Sequence, residues 1–375
     1  MKAPILSLIL VPGDEAALAV TVSTVFRDPA ETRWELVLAS RQKPDSLEAL
    51  VETAPAGRLR WVQVPPVENA ANTCAVSLQR ALDVSTGAFV GVVGTGDIVE
   101  PGVLPAAVDY LASRPLVDVL YTDEQWPGEA AEGIFTKPGW NAEYLLGLPY
   151  LGRLCFVRRE PLMSCGGFRS GSSGVEEWDM HLRVTDAGAV VEHIPAVGLT
   201  RPTPPCVTTD SQSAALSVVE AHFHRIGVEA RVEPAELPGS VRSWRSIPDS
   251  PLVSVVMPTI GARRAVRGED RRLVTNCVRS MLAQTTYDNW ELVLVTSEGT
   301  PAVAIEEVAA LAGERLTLAP VTGPFNFSHS IIEGARVARG TYLLLLIDDT
   351  EVIDPRWLEH IVGRAQLRSI GAVGA

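Results

Sequence analysis

The stretch Leu343-Leu344-Leu345-Leu346-Ile347-Asp348-Asp349-Thr350-Glu351 decides the fold. Five aliphatic residues in a row, with Tyr342 before them, carry no polar alternation, so the segment reads as a strand buried on both faces. Such strands belong to parallel sheets covered by helices on each side. Carboxylates placed directly after a strand of this kind lie at its carboxyl end, where open α/β sheets bind their ligands. Oxygen-rich acidic sites suit Mg²⁺ or Mn²⁺, which bridge to a substrate diphosphate. On these residues alone the alternative stands equally open, that Asp348 and Asp349 only cap a turn. Asp354-Pro355 then predicts a helix start, with Asp as N-cap and Pro in the first turn.

Outward from this strand the chain repeats itself. Val253–Met257 reads as a strand ending at Pro258, Leu273–Leu282 as a helix and Trp290–Val295 as a strand. The first half has the same order: strand Leu6–Val11, helix Ala16–Phe26, strand Trp34–Ala39, helix Ser46–Thr53, strand Leu59–Val64, helix Ala70–Val84, strand Phe89–Val93. Trp34-Glu35-Leu36 recurs as Trp290-Glu291-Leu292, Gly87 as Gly340 and Pro101 as Pro355, each about 255 residues on, as expected of an internal duplication. A helix over Ser213–His224 and a short strand over Ala230–Glu233 precede a segment with Pro238, Pro248 and Pro251. We therefore expect a first domain over residues 1–235, a Pro-rich linker over 236–251 and a second domain over 252–375. The final apolar run, Ile370 to Ala375, reads as the beginning of a core strand, so the second domain is expected to be the N-terminal half of a unit and the sequence a fragment.

Bulk properties narrow the function. A chain of 375 residues exceeds the roughly 250–300 over which one core keeps growing, again favouring two units. With 46% hydrophobic and 21% charged residues it is an ordinary globular sequence. A formal charge of −13 argues against a nucleic-acid partner, which would require clustered Lys and Arg. Cys74, Cys155, Cys165, Cys206 and Cys277 are scattered, which suits buried thiols in a reducing compartment. The six histidines form no metal cluster, and His222 and His224 are expected on an exposed helix face. No run approaches the roughly 20 apolar residues that span a bilayer, and the N-terminus reads as a strand, not a signal peptide. These features place the protein in the cytoplasm, with peripheral contact at the inner face of a membrane left open.

The motifs together resemble family 2 glycosyltransferases. Pro251-Leu-Val-Ser-Val-Val-Met-Pro-Thr259, Ser280-Met-Leu-Ala-Gln-Thr-Thr-Tyr287, Gly323-Pro-Phe-Asn-Phe-Ser328, Gly340 to Pro355 and Gly371-Ala-Val-Gly374 resemble the donor half of such an enzyme. Tyr121-Thr-Asp-Glu124, Phe135-Thr-Lys-Pro138 with Trp140, Cys165-Gly-Gly-Phe168, and Glu176-Glu-Trp-Asp179 with Leu182-Arg183 resemble an acceptor half. The whole is similar to tandem members that build cell-surface polysaccharides. The resemblance implies the GT-A fold, an open mixed α/β sheet flanked by helices, in one full copy and the N-terminal half of a second. It implies a nucleotide-sugar donor, Mg²⁺ or Mn²⁺, and a glycan or lipid-linked glycan acceptor. The reaction implied is an inverting displacement in which metal stabilises the leaving diphosphate and a carboxylate acts as general base. Asp349 and Asp348 would hold the metal. Pro258, Thr259, Glu298 and Asp348, with Asp97 and Asp123 of the first copy, would contact the nucleotide-sugar. Glu177, standing where the family has Asp, and its neighbour Asp179 would be the catalytic acids. The simpler reading of Glu176–Asp179 is an acidic helix N-terminus.

Departures from the family pattern shape the expectation. Val92-Val93-Gly94-Thr95-Gly96-Asp97 has glycine where the family has Asp at 94 and 96, leaving Asp97 alone; Ala39 replaces a base-contacting Asp, and Gly198-Leu-Thr-Arg201 lacks a His-Trp pair. In the second copy Val295-Thr-Ser-Glu298 replaces an aspartate turn and Ile332 an Asn. The first domain is therefore expected to be impaired or silent, and the alternative function is a non-catalytic module that docks glycan or a partner. A nucleotidyltransferase is disfavoured because no Gly-rich basic loop follows the first strand, and a dehydrogenase for want of G-x-G-x-x-G.

Overall fold

Leu6, Leu8, Ile9 and Leu10 are all fully buried, as are Val255, Val256 and Met257, because each segment is the central strand of a parallel sheet with helices on both faces. The structure, a computed structural model, describes residues 5–27, 33–127, 133–202 and 209–374; Cys206 lies outside them. The chain divides into two compact units, residues 1–243 and 244–375.

Unit 1 runs β1 (Leu6–Leu10), α1 (Glu15–Val25), β2 (Trp34–Ser40), α2 (Leu47–Thr53), β3 (Leu59–Gln63), α3 (Thr73–Val84), β4 (Phe89–Val92), β5 (Ile98–Val99), α4 (Val103–Ser113), β6 (Val119–Gln125), β7 (Ile134–Phe135), α5 (Ala142–Gly147), β8 (Phe156–Arg158), α6 (Arg159–Ser164), α7 (Glu176–Asp186), β9 (Val191–Thr200), α8 (Thr209–Arg225) and β10 (Ala230–Pro234). A further strand, β11 (Val241–Arg245), crosses the division and lies inside the segment read as a linker. Among the described residues the main sheet of unit 1 has nine strands in the order β3-β2-β1-β4-β8-β6-β9-β5, with β7 on β6. The first four are parallel; β8 lies antiparallel to β4 and β6, which makes the sheet mixed. One face packs on α3, α7 and α8 through Leu78, Trp178, Leu182 and Val219, the other on α1 and α4 through Leu18, Val22, Leu104 and Val108.

Unit 2 runs β12 (Val253–Thr259), β13 (Arg263–Val266), β14 (Glu269–Arg272), α9 (Leu273–Gln284), β15 (Trp290–Ser297), α10 (Ala302–Ala312), β16 (Leu316–Val321), α11 (Phe327–Val337), β17 (Tyr342–Leu345) and α12 (Trp357–Ala365). Among the described residues its parallel sheet has four strands in the order β16-β15-β12-β17, the order of β3-β2-β1-β4.

Both sheets are tied at the amino ends of their strands by the same buried device, which accounts for the recurring Trp-Glu-Leu and Gly. In unit 1 Ser7 Oγ donates to Glu35 (2.7 Å) and accepts from the Gly87 N–H (2.7 Å). In unit 2 Ser254 Oγ donates to Glu291 (2.6 Å) and accepts from the Gly340 N–H (2.7 Å). Arg60 pairs with Glu35 and Arg339 with Glu291. Burial alone would raise both carboxyls, but hydrogen bonds from Thr86, Ser7 and Arg60, and from Ser254 and Arg339, bring each below its usual range. Glycine is required beside the serine. A Cβ at Gly87 would sit 2.6 Å from the Ser7 nitrogen, and one at Gly340 2.6 Å from the Ser254 nitrogen.

Five expectations are corrected. The aliphatic run before Asp348 is not buried on both faces: β17 is an edge strand, and Leu343, Leu345 and Ile347 are 49%, 53% and 53% exposed. Its other face, Tyr342, Leu344 and Leu346, packs on the core. In unit 1 the strand in this place, β4, is flanked by β8 and covered by the α7 and α8 cluster, which has no counterpart among the described residues of unit 2. β12 continues through Pro258 to Thr259, because β17 stops pairing at Val256 and the missing proline N–H leaves no partner unsatisfied there. The last helix begins at Trp357, with Asp354 accepting from the Arg356 N–H in the turn before it, and residues 370–374 form no strand. His222 is buried where α8 packs on α7, its Nδ1 2.7 Å from Asp186.

Removing the tie should cost stability. Glu291→Ala and Gly340→Ala are each expected to lower the unfolding free energy by about 1–3 kcal/mol in urea titrations followed by circular dichroism. A transition midpoint unchanged in both would refute the role given to this contact.

Candidate functional site

Because β12, β15 and β17 run parallel, their carboxyl ends meet at one edge of the sheet, and that edge gathers most of the residues singled out in the second half. Thr259 closes β12, and its Oγ1 donates to Asp348 Oδ2 at 2.5 Å while accepting from the Gly261 N–H at 2.9 Å. Asp349 follows, and Thr350 Oγ1 closes the turn by donating to the Ile347 carbonyl at 3.0 Å. Burial, reinforced by Asp349, raises the Asp348 carboxyl against the opposing Thr259 bond. Among the described residues no Lys or Arg pairs with Asp348 or Asp349. Glu351 differs, being held by Arg267 (2.7 Å) and Asn276 (2.6 Å). Glu298, just past β15, accepts from the Gly323 N–H at 3.2 Å. Pro258 stays within its strand, opposite Val295.

Two adjacent carboxylates without a basic partner fit a hard divalent cation that draws its remaining ligands from water and phosphate, as Mg²⁺ does. Among the described residues no group of three or more His, Cys, Asp or Glu is arranged to hold a metal by itself.

An arginine-bearing hairpin beside this edge escaped the sequence reading. β13 and β14 carry Arg263, Arg264, Arg271 and Arg272, with Arg267 at the turn. Arg272 fastens it, donating to the Gly261 carbonyl at 2.7 Å and pairing with Glu307 at 3.1 Å. The density of arginine between residues 263 and 272 was the available signal.

In unit 1 the candidates separate into two groups. Asp97 is fully buried; its Oδ2 accepts from the Gly94 N–H at 2.6 Å, and Arg153 Nη1 lies 3.0 Å from its Oδ1. Burial raises its carboxyl, against the pull of Arg153. Glu124 accepts from the Arg153 N–H (2.6 Å) and pairs with buried Lys137 (3.4 Å) and Arg201 (3.5 Å). Glu177 faces the same charges, and burial pushes its carboxyl up to about 7, with Arg153 and Arg201 pulling the other way. Asp123 is held next door by the Lys137 N–H (2.9 Å) and His193 Nε2 (2.8 Å). Asp179, two residues from Glu177 and so on another face of α7, is locked by Arg183 (2.8 Å) and Arg169 (3.0 Å), which hold its carboxyl low. Arg153, which sequence reasoning missed, organises this cluster; it lies 56 residues from Asp97, and no local pattern announces the pairing.

Strand register aligns the two edges. Phe89 stands opposite Leu6 as Tyr342 stands opposite Val253, so Thr95 and Gly96 take the places of Asp348 and Asp349. A crevice at the carboxyl ends of β1, β2 and β3, lined by Pro12, Gly13, Ser40, Arg41, Lys43 and Gln63, adjoins this loop through the Gly13 N–H, which donates to Thr95 Oγ1 at 2.9 Å.

Residues 254–375 match the family described as Glycosyl transferase family 2. Over 99% of its length the chain is 28% identical to "Uncharacterized protein y4gI" of Sinorhizobium fredii, and over 100% of it 30% identical to the O-antigen biosynthesis protein RfbC of Myxococcus xanthus. It spans 42% and 29% of those proteins. Similar solved structures include S. aureus TarS 1-349 in complex with UDP, with a TM-score of 0.45 and 15% identity, covering 58% of this chain and 65% of that one. Another is the mannosyltransferase PcManGT from Pyrobaculum calidifontis in complex with GDP-Man and Mn²⁺, with a TM-score of 0.43 and 17% identity, covering 60% and 64%.

The state of Glu177 is open to measurement. The folded chain holds this proton more tightly than the unfolded chain, where the group titrates near 4.5, so stability falls as pH rises from about 4.5 through about 7. Glu177→Gln should remove that dependence and stabilise the protein by about 1–3 kcal/mol at pH 8 while changing little at pH 4. Parallel pH profiles of the two proteins would contradict the assignment.

Proposed function

We propose that unit 2 is the donor-binding part of a family 2 glycosyltransferase of GT-A fold, which moves a sugar from a nucleotide-sugar to a growing cell-surface glycan. The observation that carries this reading is the Asp348-Asp349 pair, without a basic partner, at the carboxyl edge of a parallel sheet, in residues that match the family. The 30% identity to an O-antigen biosynthesis protein supports the glycan assignment.

In this reading Thr259 fixes the Asp348 carboxylate, and Pro258, Thr259 and Glu298 line the donor's path across the strand ends. A Mg²⁺ or Mn²⁺ ion held by Asp349 and Asp348 would neutralise the leaving diphosphate. The acceptor hydroxyl of a glycan or lipid-linked glycan attacks the anomeric carbon as the bond to the diphosphate oxygen breaks, with inversion, and its proton passes to a general base. A nucleotide-sugar donor assigns the reaction to the cytoplasmic side. No helix among the described residues is long and apolar enough to cross a membrane.

Unit 1 we read as a related unit, in domains that follow residues 1–235 and 252–375 with the intervening segment as connector. Glycine at 94 and 96 favours a second, non-catalytic role for unit 1 in docking glycan or a partner. Within unit 1, Glu177 stands in the base position.

Titration of the chain with UDP or GDP by calorimetry should reveal a binding step present with Mn²⁺ and absent in EDTA, weakened about 100-fold by Asp349→Ala. A titration that Mn²⁺ leaves unchanged would remove unit 2 from metal-assisted sugar transfer.

A further inference from the structure

A side chain cannot be placed at Gly94 as the loop stands. Its Cβ would lie 2.0 Å from Arg153 Nη1 and 2.6 Å from Arg153 Cζ. Glycine at this position and the guanidinium beside it are thus one arrangement, with the arginine filling the space that a side chain at 94 would occupy, next to Thr95 and Gly96 in the places of Asp348 and Asp349. The guanidinium is well fixed. Gly152 and Leu154, on either side of Arg153, both hold left-handed backbone (φ 63° and 50°), a conformation that costs leucine energy and persists only where the surroundings enforce it. The Arg153 N–H donates to Glu124 at 2.6 Å, the Leu154 N–H to the Val92 carbonyl at 3.0 Å, and Nη1 reaches both oxygens of Asp97, at 3.0 and 3.2 Å.

A divalent cation does not fit here. Arg153, Arg201 and Lys137 already stand against Asp97, Glu124 and Glu177, so these carboxylates have cationic partners from the chain, and Gly94 and Gly96 offer no ligand. The site nevertheless keeps a positive group facing outward. The Arg153 side chain remains 31% exposed although Asp97 beneath it is fully buried. It sits behind the Gly94–Asp97 loop, whose Thr95 accepts from Gly13 at the wall of the crevice over β1, β2 and β3. Arg41 and Lys43 line that same crevice, together with Glu15 and Asp45.

We propose that in unit 1 the Arg153 guanidinium takes the place of the divalent cation, so that this unit binds the phosphates of a nucleoside diphosphate without metal. The inference rests on reading both units as nucleotide-sugar folds. Guanidinium suits the task because its planar fork meets phosphate oxygens in pairs and stays charged at any working pH.

The experiment uses the full chain carrying Asp348→Ala/Asp349→Ala, titrated with UDP, GDP, CDP and dTDP by calorimetry in EDTA and again in Mn²⁺. One of these is expected to bind with the same affinity in both conditions. Adding Asp97→Asn/Arg153→Gln, which removes both charges and leaves neither orphaned, should weaken that binding at least about tenfold, and Arg153→Lys should fall between. Circular dichroism establishes that each variant is folded. Absence of binding in EDTA, a requirement for Mn²⁺, or binding indifferent to Asp97→Asn/Arg153→Gln would each overturn the proposal. Each of those results would leave the Mn²⁺-dependent step of the parent chain as a separate test of unit 2.

Discussion

A carboxylate buried at the amino end of a sheet, bridged by serine to a glycine amide, is the constraint on which both units depend. Glu35 and Glu291 are almost fully buried, and a buried charge is tolerated only when its hydrogen-bonding capacity is met. Each is met by a serine on the neighbouring strand, by backbone N–H groups at the entrance to the next strand, and by one arginine. Three parallel strands are thereby held in one register. A slip of one residue would expose the carboxylate to apolar neighbours and turn each strand's side chains to the opposite face.

That register decides what happens at the far edge. Parallel strands locked at one end deliver their other ends at a common level, which is why Thr259 and Asp348 meet although 89 residues separate them. The same geometry in unit 1 delivers Gly13, Thr95 and Gly94 to one place, with a different chemical outcome. There the edge is closed by a ring of paired charges, whereas in unit 2 two carboxylates stand together without a cation from the chain.

Much of this was legible in the residues. Uninterrupted apolar runs identified the parallel strands, and Trp-Glu-Leu with its downstream glycine marked corresponding positions, because each of those residues does one indispensable job. Helix and strand limits fell within a residue or two for most of the first half. What escaped depended on neighbours distant in sequence. Leu343, Leu345 and Ile347 look like core in any window, yet exposure is set by whether another element packs on that face. His222 carries the same ambiguity in reverse, since its burial comes from α7, and its partner Asp186 belongs to that helix. Asp179 and Glu177 are indistinguishable by type and spacing. Only the positions of Arg169 and Arg183 assign one to an ion pair and the other to the cluster around Arg153.

The pairing of Gly94 with Arg153 also works as a ratchet on sequence change. Any side chain entering at 94 by a single substitution overlaps the guanidinium at its Cβ, and replacing Arg153 first strands Asp97, fully buried, without its counter-charge. Either path crosses a less stable intermediate, so the two positions must change together. Mutational drift therefore runs readily within the present state of unit 1 and meets a barrier at its border, which makes glycine at 94 easier to keep than to replace.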